Sequence, residues 1–351
     1  MRVFLVFLLF FSSFVFCENF LTLDKSIEIA IKNNLDIKIA KNKIEQAYYG
    51  KKVAKSYFFP KITSSFNYTH LGNNEGITIP GMPFPPIKFV EDNMYTFSIS
   101  LNQPIFTGRR IEKTYEMSKE NLENAKIGYK IQLQNLILNV KKGYFSILKA
   151  QKFFQTAKKY KELLEKHLED AKKMFKQGLV TKLDILKTEV AVKGAETKVI
   201  ESENFIKIAK SNFNFILNKP VDEEFNIEDI FEEKYDKKNY QYWKKIAMEN
   251  RPEIKSMEKI VSIYDKKIKI EKSNLYPQIY LFTNYNYEKG TQNSPYEWDK
   301  NWNAGIVLSY DIWNWGETKN KIKKAEREKK QMEKQLEIVK KSIELEVKMH
   351  I

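Results

Sequence analysis

The chain has 351 residues, a formal net charge of +15, and a composition that is 42% apolar, 14% aromatic and 30% charged. After the N-terminus no stretch approaches the roughly 20 apolar residues of a membrane-crossing helix, so any passage through a membrane must use strands. Cys17 is the only cysteine, which excludes a disulfide framework and a cysteine metal centre. The basic excess is interspersed with glutamate along helical patterns, so it reads as solvated lysine-rich helix faces and not as a nucleic-acid surface.

Residues 1–17 read as an export signal peptide. Arg2 supplies the basic region, Val3 to Phe11 the apolar run, and a cut after Cys17 suits the residues at −3 and −1. The alternative is lipidation at Cys17, against which stands the bulky Phe16 before it.

Thr22 to about Tyr57 reads as one helix. Thr22 or Asp24 caps it, Ile27, Ala30, Ile31, Ile37, Ala40 and Ile44 recur at three- and four-residue steps, and Pro60 ends it. Ile62 to His70 then alternates, with Ile62, Phe66 and Tyr68 on one face and Thr63, Ser65, Asn67 and Thr69 on the other. Tyr95 to Asn102 alternates more cleanly, Tyr95, Phe97, Ile99 and Leu101 against Thr96, Ser98, Ser100 and Asn102. Such a strand is half-buried in a soluble sheet, or faces lipid and water in a barrel; the period alone does not choose. Leu71 to Met94 is a loop, because the prolines between Pro80 and Pro86 forbid regular pairing.

Gly108 opens a helix expected to run to Lys176, on the order of 100 Å at ~1.5 Å per residue. Gly178 stops it and Thr181 caps a second long helix, which ends at Asn218 before Pro220. The two form an antiparallel hairpin with its tip at Gly178. Val221 to Lys238 is an acidic, aromatic connecting segment. Trp243, Ile246, Ile254, Met257, Val261, Tyr264 and Ile268 mark another helix; Ile279 to Tyr287 and Trp302 to Ile312 are strands around the polar loop Lys289 to Asn301. Gly316 opens a last helix through Met332, Leu336, Val339, Ile343 and Val347.

The chain nearly repeats itself. Pro277 minus Pro60 is 217, and the same shift carries Ala30 onto Ala247 and Ile37 onto Ile254. The expected domains are residues 18–218 as a first repeat, 219–238 as a connecting equatorial-type segment, and 239–351 as a second, incomplete repeat. Ile351 stands in mid-pattern, with no counterpart of roughly Tyr144 to Asn218, which implies a fragment or a truncated product.

Several motifs carry a family resemblance: Leu21-Thr22-Leu23 through Ala30 to Asn34; Pro104-Ile105-Phe106-Thr107-Gly108-Arg109, echoed by Asp311 to Gly316; and Phe175 to Leu186 around Gly178. In this order, with these helix lengths, the chain resembles the TolC-like outer membrane efflux proteins. The resemblance implies a mainly α fold with a small membrane β-barrel portion. Long antiparallel helical hairpins would form a periplasmic α-barrel, and each protomer would give four strands to a shared 12-stranded trimeric β-barrel. It implies an exit duct of a tripartite efflux or type I secretion system. The partners would be a homotrimer, a periplasmic adaptor, an inner-membrane pump of RND, ABC or MFS type, and outer-membrane lipid.

By the same resemblance Gly178, Leu179 and Thr181 are expected to meet the adaptor, and Asp184 to sit near a periplasmic gate. The bland alternative makes Gly178 a helix stop and Asp184 a first-turn acid. Tyr95, Tyr285, Tyr287, Trp298 and Trp302 lie near strand ends as a candidate interfacial girdle, or as ordinary strand aromatics. His70, His167 and His350 make no ligand-like pattern, and there is no nucleophile motif and no phosphate loop, so no enzyme, metal or cofactor is expected. The rival readings are an exported coiled-coil scaffold and a truncated, non-conducting remnant of such a channel.

Overall fold

A computed structural model describes residues 20–76, 80, 81, 83, 88–230 and 238–349. Residues 1–17, read above as a signal peptide, and His350 lie outside the described residues. The order is β1 (Phe20–Leu21), α1 (Leu23–Asn33), α2 (Leu35–Ser56), β2 (Lys61–His70), β3 (Asn93–Phe106), α3 (Arg110–Lys176), α4 (Lys182–Leu217), β4 (Asn226–Ile227), α5 (Tyr240–Asn250), α6 (Pro252–Lys272), β5 (Gln278–Lys289), β6 (Asp299–Ser309) and α7 (Glu317–Met349). Two compact units result, residues 1–40 with 130–237 and residues 41–129 with 238–351.

The first unit is built on the hairpin of α3 and α4. Its core holds Tyr144, Val140, Ile147, Phe213 and Leu217, all buried. The Tyr144 and Phe213 rings meet edge-on at 6.1 Å, and Phe213 reaches Phe225 at 5.8 Å. β1 and β4 pair in parallel, Phe20 with Asn226 and Leu21 with Ile227. The Tyr144 hydroxyl donates to the Glu228 carbonyl at 2.7 Å and reaches the Leu21 carbonyl at 3.2 Å. Burial of this hydroxyl pushes its pKa up, so it remains a donor.

In the second unit α5, α6 and α7 pack around Ala247, Ile254 and Ile343, flanked by Met248, Leu336, Val339 and Val347. Many helix charges are paired: Lys259 with Glu120 at 2.8 Å, Lys267 with Glu328 at 2.7 Å and Arg251 with Glu346 at 3.0 Å. The four-stranded antiparallel sheet has the order β2-β3-β5-β6, which leaves β2 and β6 as edges.

The 217-residue shift recurs in individual hydrogen bonds. The Asn34 amide donates to the Ala30 carbonyl at 2.8 Å, and the Arg251 amide to Ala247 at 3.0 Å. The Ser56 hydroxyl donates to the Val53 carbonyl at 2.7 Å, and Ser273 to Ile270 at 2.6 Å. The Phe59 and Tyr276 amides close the following turns onto Ser56 and Ser273.

The structure refines several boundaries. The helix expected from Thr22 to Tyr57 breaks at Asn34, whose side chain caps α2. The helix through Trp243 and Ile268 breaks at Arg251, because the residue before Pro252 is pushed out of the helical region. β3 starts at Asn93 and runs to Phe106, absorbing Pro104 through an irregularity in its pairing with β5. β6 begins at Asp299 and stops at Ser309, before Ile312. The connecting segment contributes β4, which no local pattern announces.

Candidate functional site

The sheet has two chemically distinct faces. Register aligns Ser64, Ile99, Tyr285 and Trp302 across it, and next to them Ile62, Leu101, Thr283 and Ala304. This face also carries Phe66, Phe97, Tyr287 and Ile306, and is largely exposed: Ile62 to 66%, Trp302 to 73% and Ile306 to 71%.

The middle of the opposite face is made of Ser, Thr and Asn. Thr63, Ser100, Asn284 and Asn303 form one row, and Ser65, Ser98, Asn286 and Asn301 the next. The side chains bond across strands: Ser98 to Asn286 at 2.8 Å, Asn286 to Asn301 at 2.9 Å, and Asn284 to Asn303 at 2.9 Å. Glu288 closes this ladder, accepting from Asn301 and, at 3.3 Å, from Asn293. Sequence reading missed the ladder beyond β3. Its signal was present in Asn284 and Asn286 alternating with Thr283, Tyr285 and Tyr287.

The five strand aromatics fall on or beside one end of the apolar face. Trp298 stacks on Tyr287 at 4.8 Å with 20° between the rings, and approaches Tyr95 at 5.9 Å. Tyr68 extends the cluster to Tyr95 at 5.1 Å. Tyr285 and Trp302 are register partners one step further along.

At the hairpin tip the chain turns by helix-capping chemistry. Gly178 has φ +76°, the left-handed region that suits glycine. Its amide donates to Phe175 at 2.9 Å and the Leu179 amide to Met174 at 3.0 Å. Leu179 points into solvent, 69% exposed. Thr181 and Asp184 form a capping box. The Asp184 carboxylate accepts from the Thr181 amide at 2.9 Å and hydroxyl at 2.7 Å, and the Thr181 hydroxyl receives the Asp184 amide at 3.4 Å. The Thr181 hydroxyl, then its amide, hold the Asp184 carboxyl below its ordinary pKa. The tip residues and the strand aromatics belong to different compact units.

Among the described residues no helix is long and apolar enough to cross a membrane, and no group of His, Cys, Asp and Glu is placed to hold a metal ion.

Comparison with known proteins agrees with this arrangement. The chain is 22% identical over 248 residues to the alkaline protease secretion protein AprF of Pseudomonas aeruginosa, covering 66% of this chain and 49% of that relative. The chain thus spans about half the length of the curated relative it matches. Its fold is that of solved outer-membrane channels. It superposes on the Campylobacter jejuni CmeC outer membrane channel with a TM-score of 0.77 at 18% identity, covering 90% of this chain and 67% of that one. For the Vibrio cholerae outer membrane protein VceC the TM-score is 0.75 at 12% identity, with 91% and 75% covered. The model of the outer membrane efflux protein family matches residues 26–219 and 243–350. With most of its length accounted for in this way, the chain belongs to the outer membrane efflux protein family and is a protein of the outer membrane that extends into the periplasm.

Proposed function

We propose that this chain forms the wall of an outer-membrane exit duct. The observation that carries the reading is the two-faced sheet with open edges at β2 and β6. Its apolar face suits lipid and its polar, hydrogen-bonded face suits water, the division a barrel wall requires. Open edges are not tolerated in lipid, so closure needs strands from other protomers, and three copies would complete twelve strands. The energy for export comes from elsewhere, and the duct conducts passively what an inner-membrane pump of RND, ABC or MFS type and a periplasmic adaptor deliver. The name of the relative AprF, a protease secretion protein, favours a secretion system among these.

On this reading residues 18–218 and 239–351 are the two repeats and 219–238 the segment joining them. Gly178, Leu179 and Thr181 dock the adaptor, a role supported by the exposure of Leu179. Asp184 is a weaker gate residue, since its carboxylate is already engaged with Thr181. Tyr95, Tyr285, Tyr287, Trp298 and Trp302 form the girdle at one lipid–water boundary.

Cysteine labelling tests the proposal, and Cys17 is the only native thiol to control for. A membrane-impermeant maleimide applied to outer membranes should label Asn284→Cys on the polar face and spare Ile306→Cys on the apolar one. Equal labelling of both, in a protein soluble without detergent, would favour an exported helical scaffold and sink the duct.

A further inference from the structure

A cleft of about 740 Å³ lies where the sheet meets the start of α3, lined by Lys61, Asn102, Pro104, Thr107, Arg110 and Tyr280 among others. Two of its residues are cationic. The Arg110 guanidinium is half-buried and makes two long bonds through one nitrogen, to the Gln278 amide oxygen at 3.3 Å and the Tyr280 hydroxyl at 3.2 Å. Both partners are neutral, and among the described residues the other guanidinium N–H groups have no protein acceptor.

Arg110 differs in this from the cations nearest the helix contacts of its own unit. Several lysines between the helices are paired with carboxylates, as Lys259 is with Glu120 and Lys267 with Glu328. Among the described residues neither Arg110 nor Lys61 has an ion-pair partner within 4.0 Å. Glu112, in the same first turn of α3, does not supply one. Arg110 also occupies the first turn of a 67-residue helix, the end where the helix dipole disfavours a cation. An anion in the cleft would meet a planar guanidinium with no charged partner, an ammonium and a helix N-terminus together.

We propose that this cleft is an anion-binding subsite for the carboxylate or phosphate group of a solute. Arg110 is the principal ligand, Lys61 adds charge, and Asn102, Thr107 and Tyr280 bring further polar groups to its wall. Asn102, Pro104 and Tyr280 stand in the rows of the polar face, so the occupant is a solute and not a lipid head group. Its place on the export path rests on the reading of that face as the water-filled side; the binding chemistry does not.

The test uses inorganic phosphate as the probe and protein extracted from outer membranes in detergent. Equilibrium dialysis at low salt should show saturable binding, weakened about tenfold or more in Arg110→Gln, since a charged hydrogen bond of this kind is lost. Arg110→Lys should restore part of it, and Arg109→Gln should bind as the wild type does. Helical circular dichroism of each variant guards against unfolding. The subsite is overturned by unaltered binding in a folded Arg110→Gln, or by no saturable binding in the wild type. It is also overturned if nanodiscs containing phosphatidylglycerol abolish phosphate binding, which would give the cleft to lipid. If phosphate binds through Arg110 while Asn284→Cys resists labelling, the subsite stands and the duct reading falls.

Discussion

Asn34 and Arg251 stand 217 positions apart and break their helices with the same backbone turn, φ −59° and ψ 132° at the first, φ −58° and ψ 122° at the second. The chemistry differs. The Asn34 side chain accepts from the amides of Asp36 at 2.9 Å and Ile37 at 3.3 Å, whereas Arg251 offers no side-chain cap and Pro252 starts the next helix without an amide to satisfy. A duplicated backbone has kept its geometry while its two copies maintain it differently.

The two breaks should respond unequally to substitution. Asn34→Ala removes the cap and the donor to the Ile216 carbonyl at 3.3 Å, and should cost about 1–2 kcal/mol. Pro252→Ala keeps every hydrogen bond and should cost under about 1 kcal/mol, mainly through the unfolded chain. Thermal unfolding followed by helical circular dichroism ranks the two, and the reverse order would refute this division of labour.

Glycines of the long helix and its entrance should diverge. Gly108 has φ +59°, and a Cβ there would run into the Ser273 carbonyl oxygen. Gly108→Ala should cost about 2 kcal/mol or more. Gly128, inside α3 with open space around it, should accept alanine with a gain of up to about 1 kcal/mol. Melting temperatures moving in opposite directions would be the expected result.

Tyr144→Phe keeps the ring among Phe213 and its neighbours and removes the hydroxyl. The Leu21 and Glu228 carbonyls lose a buried donor, at a cost of about 1–3 kcal/mol. Urea unfolding should show the loss. A change within error would mean that water replaces the hydroxyl.

The tip should loosen in acid. Because Thr181 depresses the Asp184 carboxyl in the folded state, the contribution of the capping box is complete above the unfolded carboxyl pKa of about 3.9. It is lost as pH falls through the lower folded value. Hydrogen-exchange protection of residues 182–186 should therefore hold from neutral pH down to about 4 and drop below it. Asp184→Asn should exchange faster already at neutral pH, with the acid-dependent drop gone.

Much of this fold was legible because its signals are local. Tyr57 to Pro60 and Asn274 to Pro277 mark helix ends by proline; Gly178 and Thr181 mark the tip by capping; Tyr95 to Asn102 shows its two faces by alternation alone. The break at Asn34 was hidden because the apolar steps through Ala30 and Ile37 continue across it, whereas Pro252 marks the one at Arg251 locally, a signal outweighed by the apolar steps from Ile246 to Ile254. The β1–β4 pair has only two residues on each side, too few to leave a pattern. The Arg110 cleft was invisible for another reason. Lys61, Arg110 and Tyr280 are far apart in sequence, and only the strand register brings them together.

The order of the sheet sets a timetable for its formation. β2 with β3 and β5 with β6 are each neighbours in sequence, so each hairpin can close early. The central β3–β5 seam joins residues such as Ser98 and Asn286, which are 188 positions apart. Between them lie both arms of the long helical hairpin, so the seam bears a large loop-closure entropy and should zip last and slowly. Until it does, two half-sheets expose four unpaired margins instead of two, and this interval is when the chain is most exposed to mispairing with other copies.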